Sequence, residues 1–411
     1  MKQLPRHPKT KRPVYLDHAA ATPADPRVLS AMRPYHSTLF GNPSAVYSQG
    51  QAARQALESA RRAVALELAT QPDTIIFTGG GTEANNLALF GLTQEAAIRS
   101  RRKKPHLITS AVEHRSVIYP AEKLAAMGWE VTYLPVDREG RVDLKQLWQA
   151  IKPTTMLVSL MYANNEIGTV NPIGEIGRQI LRSRQKNKTL FPFFHTDACQ
   201  AAAWLDLSVE RLHVDLMSLN GSKLYGPKGV GALYCRRGVP LTPHLLGGGQ
   251  ERGYRSGTEN IAGIVGLAAA LGLARQDGPR QAKRLCALTG YFWGRLLSLI
   301  PDISLNGPEV GATGSAGRLP NNLNVCFRGL EAEALVLYLD AYGIMAATGS
   351  ACAADKGSSS PVLLACGLSE QTARASVRFT LGRGTTKTDI DYVLKYLPGI
   401  VETLRETVAV K

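Results

Sequence analysis

No CxxC pair occurs in this 411-residue chain, and its six cysteines (Cys199, Cys235, Cys286, Cys326, Cys352 and Cys366) are scattered. That spacing argues against a disulfide framework and against a cysteine-built zinc site, so no metal is expected. It suits reduced thiols in a cytoplasm, most of them serving as small core hydrophobes. Long hydrophobic runs are also missing. The longest, at 261–274, is too short to span a bilayer and reads as a buried helix, so no membrane partner is expected. The N-terminus is basic without an apolar core ahead of a cleavage site, which reads as no secretory signal.

Acid is the scarcer charge, with 33 Asp and Glu against 48 Lys and Arg, for a net charge of +15. The excess is local. Residues 1–13 carry Lys2, Arg6, Lys9, Lys11 and Arg12 and no acid, 99–104 reads RSRRKK, and 182–188 reads RSRQKNK. Such clusters are either solvated tails and helix ends or a surface for RNA or an acidic protein. Low-complexity linkers and internal repeats are absent. A hydrophobic share of 44% with 20% charged residues describes an ordinary soluble globular protein, and the length suits two domains.

Short β-rich runs at 74–78, 106–109, 130–135, 156–161, 191–196, 214–219 and 230–234 alternate with helical patterns such as 52–69, 116–127 and 173–184. The alternation predicts an α/β fold with a mostly parallel sheet covered by helices on both faces. Ligands bind such sheets beyond the carboxyl ends of the strands. The basic clusters at 99–104 and 182–188 precede strands and so belong on the opposite rim. After 261–274 the texture changes to strands at 322–327, 343–347 and 376–381 with helices at 281–300, 331–340 and 389–406. The reading is a large domain over 28–270 and a smaller α+β domain over 271–411, with 1–27 packing on the latter.

The chemistry-bearing segments follow the strand candidates. In SLNGSKLYGPKG, Lys223 stands just past a strand on a Gly-rich turn, where a lysine can form an imine with an aldehyde cofactor such as pyridoxal phosphate. Gly79-Gly80-Gly81-Thr82 opens a helix and offers a phosphate cradle. It matches neither GxGxxG nor GxxxxGK[ST], which argues against dinucleotide and P-loop binding. Asp197 in HTDACQ is placed to pair with a protonated pyridine nitrogen, or else to cap a helix. His114 in EHRS suits ring stacking or proton transfer. Cys352 sits in the small-residue stretch TGSACAADKGSSSP near Lys356, a composition that suits an exposed, mobile thiol. Arg378 in SVRFTLGR is either a bidentate clamp for a substrate carboxylate or an ordinary surface pair.

Together these segments resemble the cysteine desulfurases, pyridoxal-phosphate enzymes of the class V aminotransferase group. The likeness runs from YLDHAAATPADPRV (15–28) to RFTLGRGTT (378–386) and includes FGNPSAVYSQG, IIFTGGGTEANNLAL, MYANNEIGTVNPI, HTDACQ, KLYGPKGVGALY and GGGQERGYRSGTEN. The long stretch around Cys352 is similar to the housekeeping branch, which supplies sulfur to iron–sulfur cluster assembly and tRNA thiolation.

The resemblance implies the type I fold of pyridoxal-phosphate transferases, a homodimer, L-cysteine as substrate and sulfur-acceptor proteins as partners. It implies Lys223 as the Schiff-base lysine, Asp197 as the pyridine partner and His114 stacked on the ring. Asn165 and Gln200 fall near the cofactor's 3′-oxygen. Gly81, Thr82, Asn220, Ser222 and Thr258 fall at the phosphate, Thr258 from the second subunit. Arg378 falls to the substrate carboxylate and Cys352 to the persulfide. Two segments depart from the family pattern. Asn220-Gly221-Ser222-Lys223 stands where Ser-Gly-His-Lys is usual, and Gln250 replaces a histidine in GGGQERG. A selenocysteine lyase, another aminotransferase of the group, and a non-catalytic binding relative are the alternative readings.

Overall fold

The computed structural model describes residues 12–93, 104–311, 317–349 and 359–409. The short strand β1 (Val14–Tyr15) comes first, and helix α1 (Ser48–Glu67) follows. Leu57, Ala60, Arg61 and Val64 are buried along one face of α1, the three-to-four residue spacing of a helix packed on a core.

Seven strands then form the main sheet: β2 (Ile75–Thr78), β3 (His106–Ser110), β4 (Glu130–Leu134), β5 (Thr155–Ser159), β6 (Phe193–Asp197), β7 (Leu216–Asn220) and β8 (Gly231–Cys235). Their order is β2-β8-β7-β6-β5-β3-β4. All neighbours are parallel except β8, which runs antiparallel to both β7 and β2. Helices α2 (Gly81–Asn86), α3 (Arg115–Ala126) and α4 (Ile173–Asn187) link them. Every residue of β2, β3, β5 and β6 is buried, as a sheet covered on both faces requires. All seven strand expectations fall within two or three residues of these spans. The cluster at 182–188 ends α4 just before β6 enters the sheet, on the rim away from the strands' carboxyl ends.

Helix α5 (Ile261–Leu299) corrects one expectation. Two helices, at 261–274 and 281–300, are a single continuous helix that carries Gly278 and Pro279 inside it. The Gly-Pro pair reads as a stop, and a mid-helix proline costs about 3 kcal/mol. Here both halves bury apolar residues: Ile264, Leu267 and Leu271 join the core of the main sheet, and Leu285, Phe292 and Leu296 join a second core. That burial outweighs the lost hydrogen bond.

The second core covers an antiparallel sheet in the order β12-β13-β10-β9, built from β9 (Ile303–Leu305), β10 (Asn322–Phe327), β12 (Ala347–Thr348) and β13 (Ser376–Thr380). The strand expected at 343–347 is divided. Strand β11 (Ile344–Met345) pairs with β1, and β12 pairs with β13. The chain changes sheets at Ala346, so one alternating run serves two partners. Helix α6 (Lys387–Ala409) closes the unit. Val14 and Leu16 belong to this second core, so the N-terminal segment packs on the C-terminal unit.

Candidate active site

The carboxyl ends of β2, β3, β5, β6 and β7 face one side, and the sequence motifs gather there. Beyond β2, Gly80 has φ +149°, a conformation that favours glycine. A Cβ on Gly81 would lie 2.6 Å from the Cys199 sulfur and 3.2 Å from the Asn220 Cβ. The turn must therefore be glycine for the β6 and β7 ends to close against it. Ala20, Gly80, Thr82, Asn220, Ser222 and Lys228 line a cavity of about 690 Å³ at this point. A second cavity, of about 660 Å³, lies on the opposite rim among Arg184, Lys188, His213 and Arg236. Volume alone does not identify the site; the motifs do.

Lys223 follows β7 in a single 3-10 turn. Its Nζ donates to the carbonyls of Ala19 and Ala20, the first at 3.0 Å. Gln200 Nε2 donates to the same Ala19 carbonyl at 2.9 Å. The N-terminal segment thus meets the lysine directly, a contact no local pattern announces.

Asp197 ends β6 and is buried. Its Oδ1 accepts from the Cys199 N–H at 2.9 Å and its Oδ2 from Asn85 Nδ2 at 2.7 Å. The second proton of Asn85 Nδ2 goes to Ser116 Oγ at 2.8 Å, and Ser116 Oγ lies 2.7 Å from His114 Nδ1. The Ser116 N–H also donates to that nitrogen at 3.1 Å. An N–H can only donate, so Nδ1 is the acceptor and the neutral ring carries its proton on Nε2. Behind Asp197, His195 is held between Ser159 and Ser218 hydroxyls. Burial lowers its pKa to about 4, so it stays neutral. Asn85 and Ser116 were missed by sequence reasoning although both lie in or beside quoted motifs.

Arg378, on β13, is buried, which rules out the surface-pair reading. Its NH2 donates to Asp17 Oδ1 at 2.7 Å and its NH1 to the Asn165 carbonyl at 3.0 Å. Its Nε is buried and has no partner among the described residues. Asn165 enters this contact through its backbone.

The two departures from the family pattern have local accounts. Asn220 Oδ1 accepts from both the N–H and the hydroxyl of Ser222, at 3.3 and 3.2 Å, and so caps the turn that carries Lys223. Gln250 Oε1 accepts from the Gly257 N–H at 2.9 Å and so shapes the loop before Thr258. That loop is tied to the cradle by Arg255 and Glu83 at 2.9 Å, with Glu83 accepting from the Gly79 N–H at 2.8 Å. Thr258 is exposed and does not line the cavity.

Cys352 lies outside the described residues, as do most of the clusters at 1–13 and 99–104. Burial raises the pKa of Cys199 well above the usual thiol value, raises that of Cys326, and pushes Cys235 and Cys366 up to about 12. These four thiols are poor nucleophiles.

The donor set fits pyridoxal phosphate. A buried carboxylate at the end of β6, an amine just past the end of β7 and a glycine turn with hydroxyls beyond β2 meet around Cys199. Asp197 and Lys223 both act electrostatically on Cys199, so the two groups stand around the same side chain.

The class-V aminotransferase profile matches residues 14–393. A cysteine desulfurase IscS of Dictyoglomus turgidum is 44% identical over 395 residues, covering 96% of each chain. Cysteine desulfurase IscS 1 of Archaeoglobus fulgidus is 43% identical, covering 95% of this chain and 97% of its own. Among solved structures, a NifS-like protein superposes with a TM-score of 0.85 at 35% identity, covering 96% of this chain and all of that one.

Proposed function

The chain belongs to the class-V aminotransferase family and is a pyridoxal-phosphate-dependent cysteine desulfurase, and from that premise we propose how its residues divide the conversion of L-cysteine to L-alanine and transferable sulfur. The observation that carries the assignment is the convergence of Lys223, Asp197 and the Gly80–Thr82 cradle around Cys199. When bound, the cofactor supplies an electron sink for the substrate's α-carbon.

Asp197 holds its carboxylate toward the ring nitrogen, and Asn85 fixes that carboxylate. Gly81, Thr82, Asn220 and Ser222 hold the phosphate, joined by Thr258 of the partner subunit in a homodimer. Gln200 and Asn165 border the 3′-oxygen. His114 covers the ring, its Nδ1 pinned by Ser116 and its Nε2 proton directed elsewhere. Arg378 would take the substrate carboxylate, its Nε having no partner among the described residues. Lys223 would hold the cofactor's aldehyde carbon, and its amine when free would move the substrate's α-proton.

The Cys352 thiolate then attacks the substrate sulfur. An S–S bond forms as the substrate's Cβ–S bond breaks, and the electron pair stays with the carbon skeleton, which leaves as alanine after protonation. The raised thiol pKa values of Cys199, Cys235, Cys326 and Cys366 make these four poor alternatives to Cys352 in this role. The sulfur passes to an acceptor protein of iron–sulfur assembly or tRNA thiolation in the cytoplasm. Among the described residues no helix is long and apolar enough to cross a membrane.

The test is alanine and sulfide released from L-cysteine by the purified protein with pyridoxal phosphate and a reductant. Cys352→Ala is expected to lower both by about a thousandfold, in line with loss of a covalent nucleophile. Full output from that variant would overturn the role of Cys352.

A further inference from the structure

The mechanism above leaves one buried acid beside Arg378 without a task. Glu166 follows β5 in the Asn-Asn-Glu-Ile-Gly turn, and its backbone is fixed on three sides. Its N–H donates to Asn164 Oδ1 at 2.8 Å, and its carbonyl accepts from Asn322 and Asn324 Nδ2 at 3.2 and 3.1 Å. Its Oε2 accepts from the Ser360 hydroxyl and lies 3.3 Å from where a Cβ on Gly349 would stand. The charged and titratable groups facing it are Arg378 from β13, His114 and Arg115 from the start of α3, and Cys366.

Arg378 already gives NH2 to Asp17 Oδ1 and NH1 to the carbonyl of Asn165, the residue immediately before Glu166. A substrate carboxylate arriving on Nε would be the third acid around one guanidinium. In a buried site that excess negative charge is relieved most readily by keeping one acid protonated. Glu166 suits this, because burial raises its pKa to about 7, whereas Asp17 is hydrogen-bonded to the arginine directly.

We propose that Glu166 is a positioning residue acting through Arg378: its neutral form leaves the guanidinium to the substrate carboxylate, and its ionised form competes for it. Substrate docking and proton uptake at Glu166 are then reciprocal. The inference rests on Arg378 being the carboxylate clamp.

The experiment titrates the holoenzyme with L-alanine, which carries the same carboxylate without a reactive sulfur, and follows the cofactor absorption band between about pH 6 and 8.5. Affinity of the wild type relative to Glu166→Gln is expected to fall above pH 7, by about tenfold at the alkaline end. Identical pH dependence in the two proteins overturns the inference. Glu166→Asp, which keeps an acid, is expected to keep a pH step. Should neither variant fold, calorimetry of the wild type in two buffers counts the protons taken up with L-alanine. Uptake equal at pH 6 and 7.5 overturns the inference. Arg378→Lys separates the two readings. Unchanged affinity in that variant removes the clamp and this inference together, whereas weakened affinity alongside an unaltered Glu166→Gln profile removes this inference alone.

Discussion

Asn85 shows how much of the site rests on single side chains. Both of its amide protons are committed, one to Asp197 and one to Ser116, so it couples Asp197 to the Ser116–His114 pair. Hydrogen bonds to charged groups contribute about 1.5–3 kcal/mol. Asn85→Ala is therefore expected to weaken cofactor binding at least about tenfold, measured by equilibrium dialysis with pyridoxal phosphate. Unchanged retention would mean that Asp197 holds its position without help. The sequence displayed the segment containing Asn85 but not its partner, since Asp197 lies 112 positions away and nothing local marks the pair. Lys223, Asp197 and the glycine turn were legible because each sits at a strand end beside a glycine or small-residue turn. Asp17 and Glu166 were not, because Asp17 meets Arg378 361 positions away and Glu166 meets Ser360 194 positions away.

At the scale of elements, the stretch at 247–258 depends on an ion pair hidden beneath it. Glu251 takes Arg61 NH1 and NH2 at 2.7 Å each and the Phe77 N–H at 2.8 Å, with both side chains 3% exposed or less. Removing one partner of such a pair leaves an uncompensated buried charge, at a cost of about 3–5 kcal/mol. Glu251→Ala is expected to destabilise by that amount in urea unfolding, whereas Glu83→Gln, at the partly exposed end of the same loop, should cost under about 1 kcal/mol. Comparable losses in both would show that the loop is held elsewhere. Strands were read well because the parallel sheet buries both faces and writes them as continuous apolar runs. The joins were read poorly. At α5 a Gly-Pro signal was overruled by two cores, and at Ala346 one run was shared between two sheets. Both outcomes are decided by packing partners far away in the chain.

The whole molecule carries a pH dependence set by four buried groups. Burial lowers His18 and His195 from 6.5 to about 4 and raises Glu113 and Glu166 from 4.5 to about 8 and about 7. Between about pH 4 and 6.5 the unfolded chain binds more protons at the histidines, so their contribution to stability rises with pH. From about pH 4.5 to 8 the folded chain binds more at the acids, so their contribution falls with pH. The two oppose each other below about pH 6.5, and above it only the acids act. The thermal midpoint is therefore expected to change little from about pH 5 to 6.5 and to decline toward pH 8. Glu113→Gln, which can keep the bonds from Ser110 and Met161, should remove roughly two thirds of that decline. An equally steep decline in the variant would assign it to other groups.

The segment from Val14 to Asp25 has a consequence for biosynthesis. It leaves the ribosome well before its partners, since β1 waits for β11, and Ala19 and Asp17 wait for Thr380 and Arg378, 361 positions later. The same segment supplies the carbonyls that receive Lys223. A nascent chain can build the seven-stranded sheet with its lysine and aspartate in place, but the segment from Val14 to Asp25 cannot be fully seated until β11 and β13 emerge. A chain cut short before β13 would thus carry Lys223 and Asp197 without the contacts that Arg378 and Thr380 give to Asp17 and Ala19.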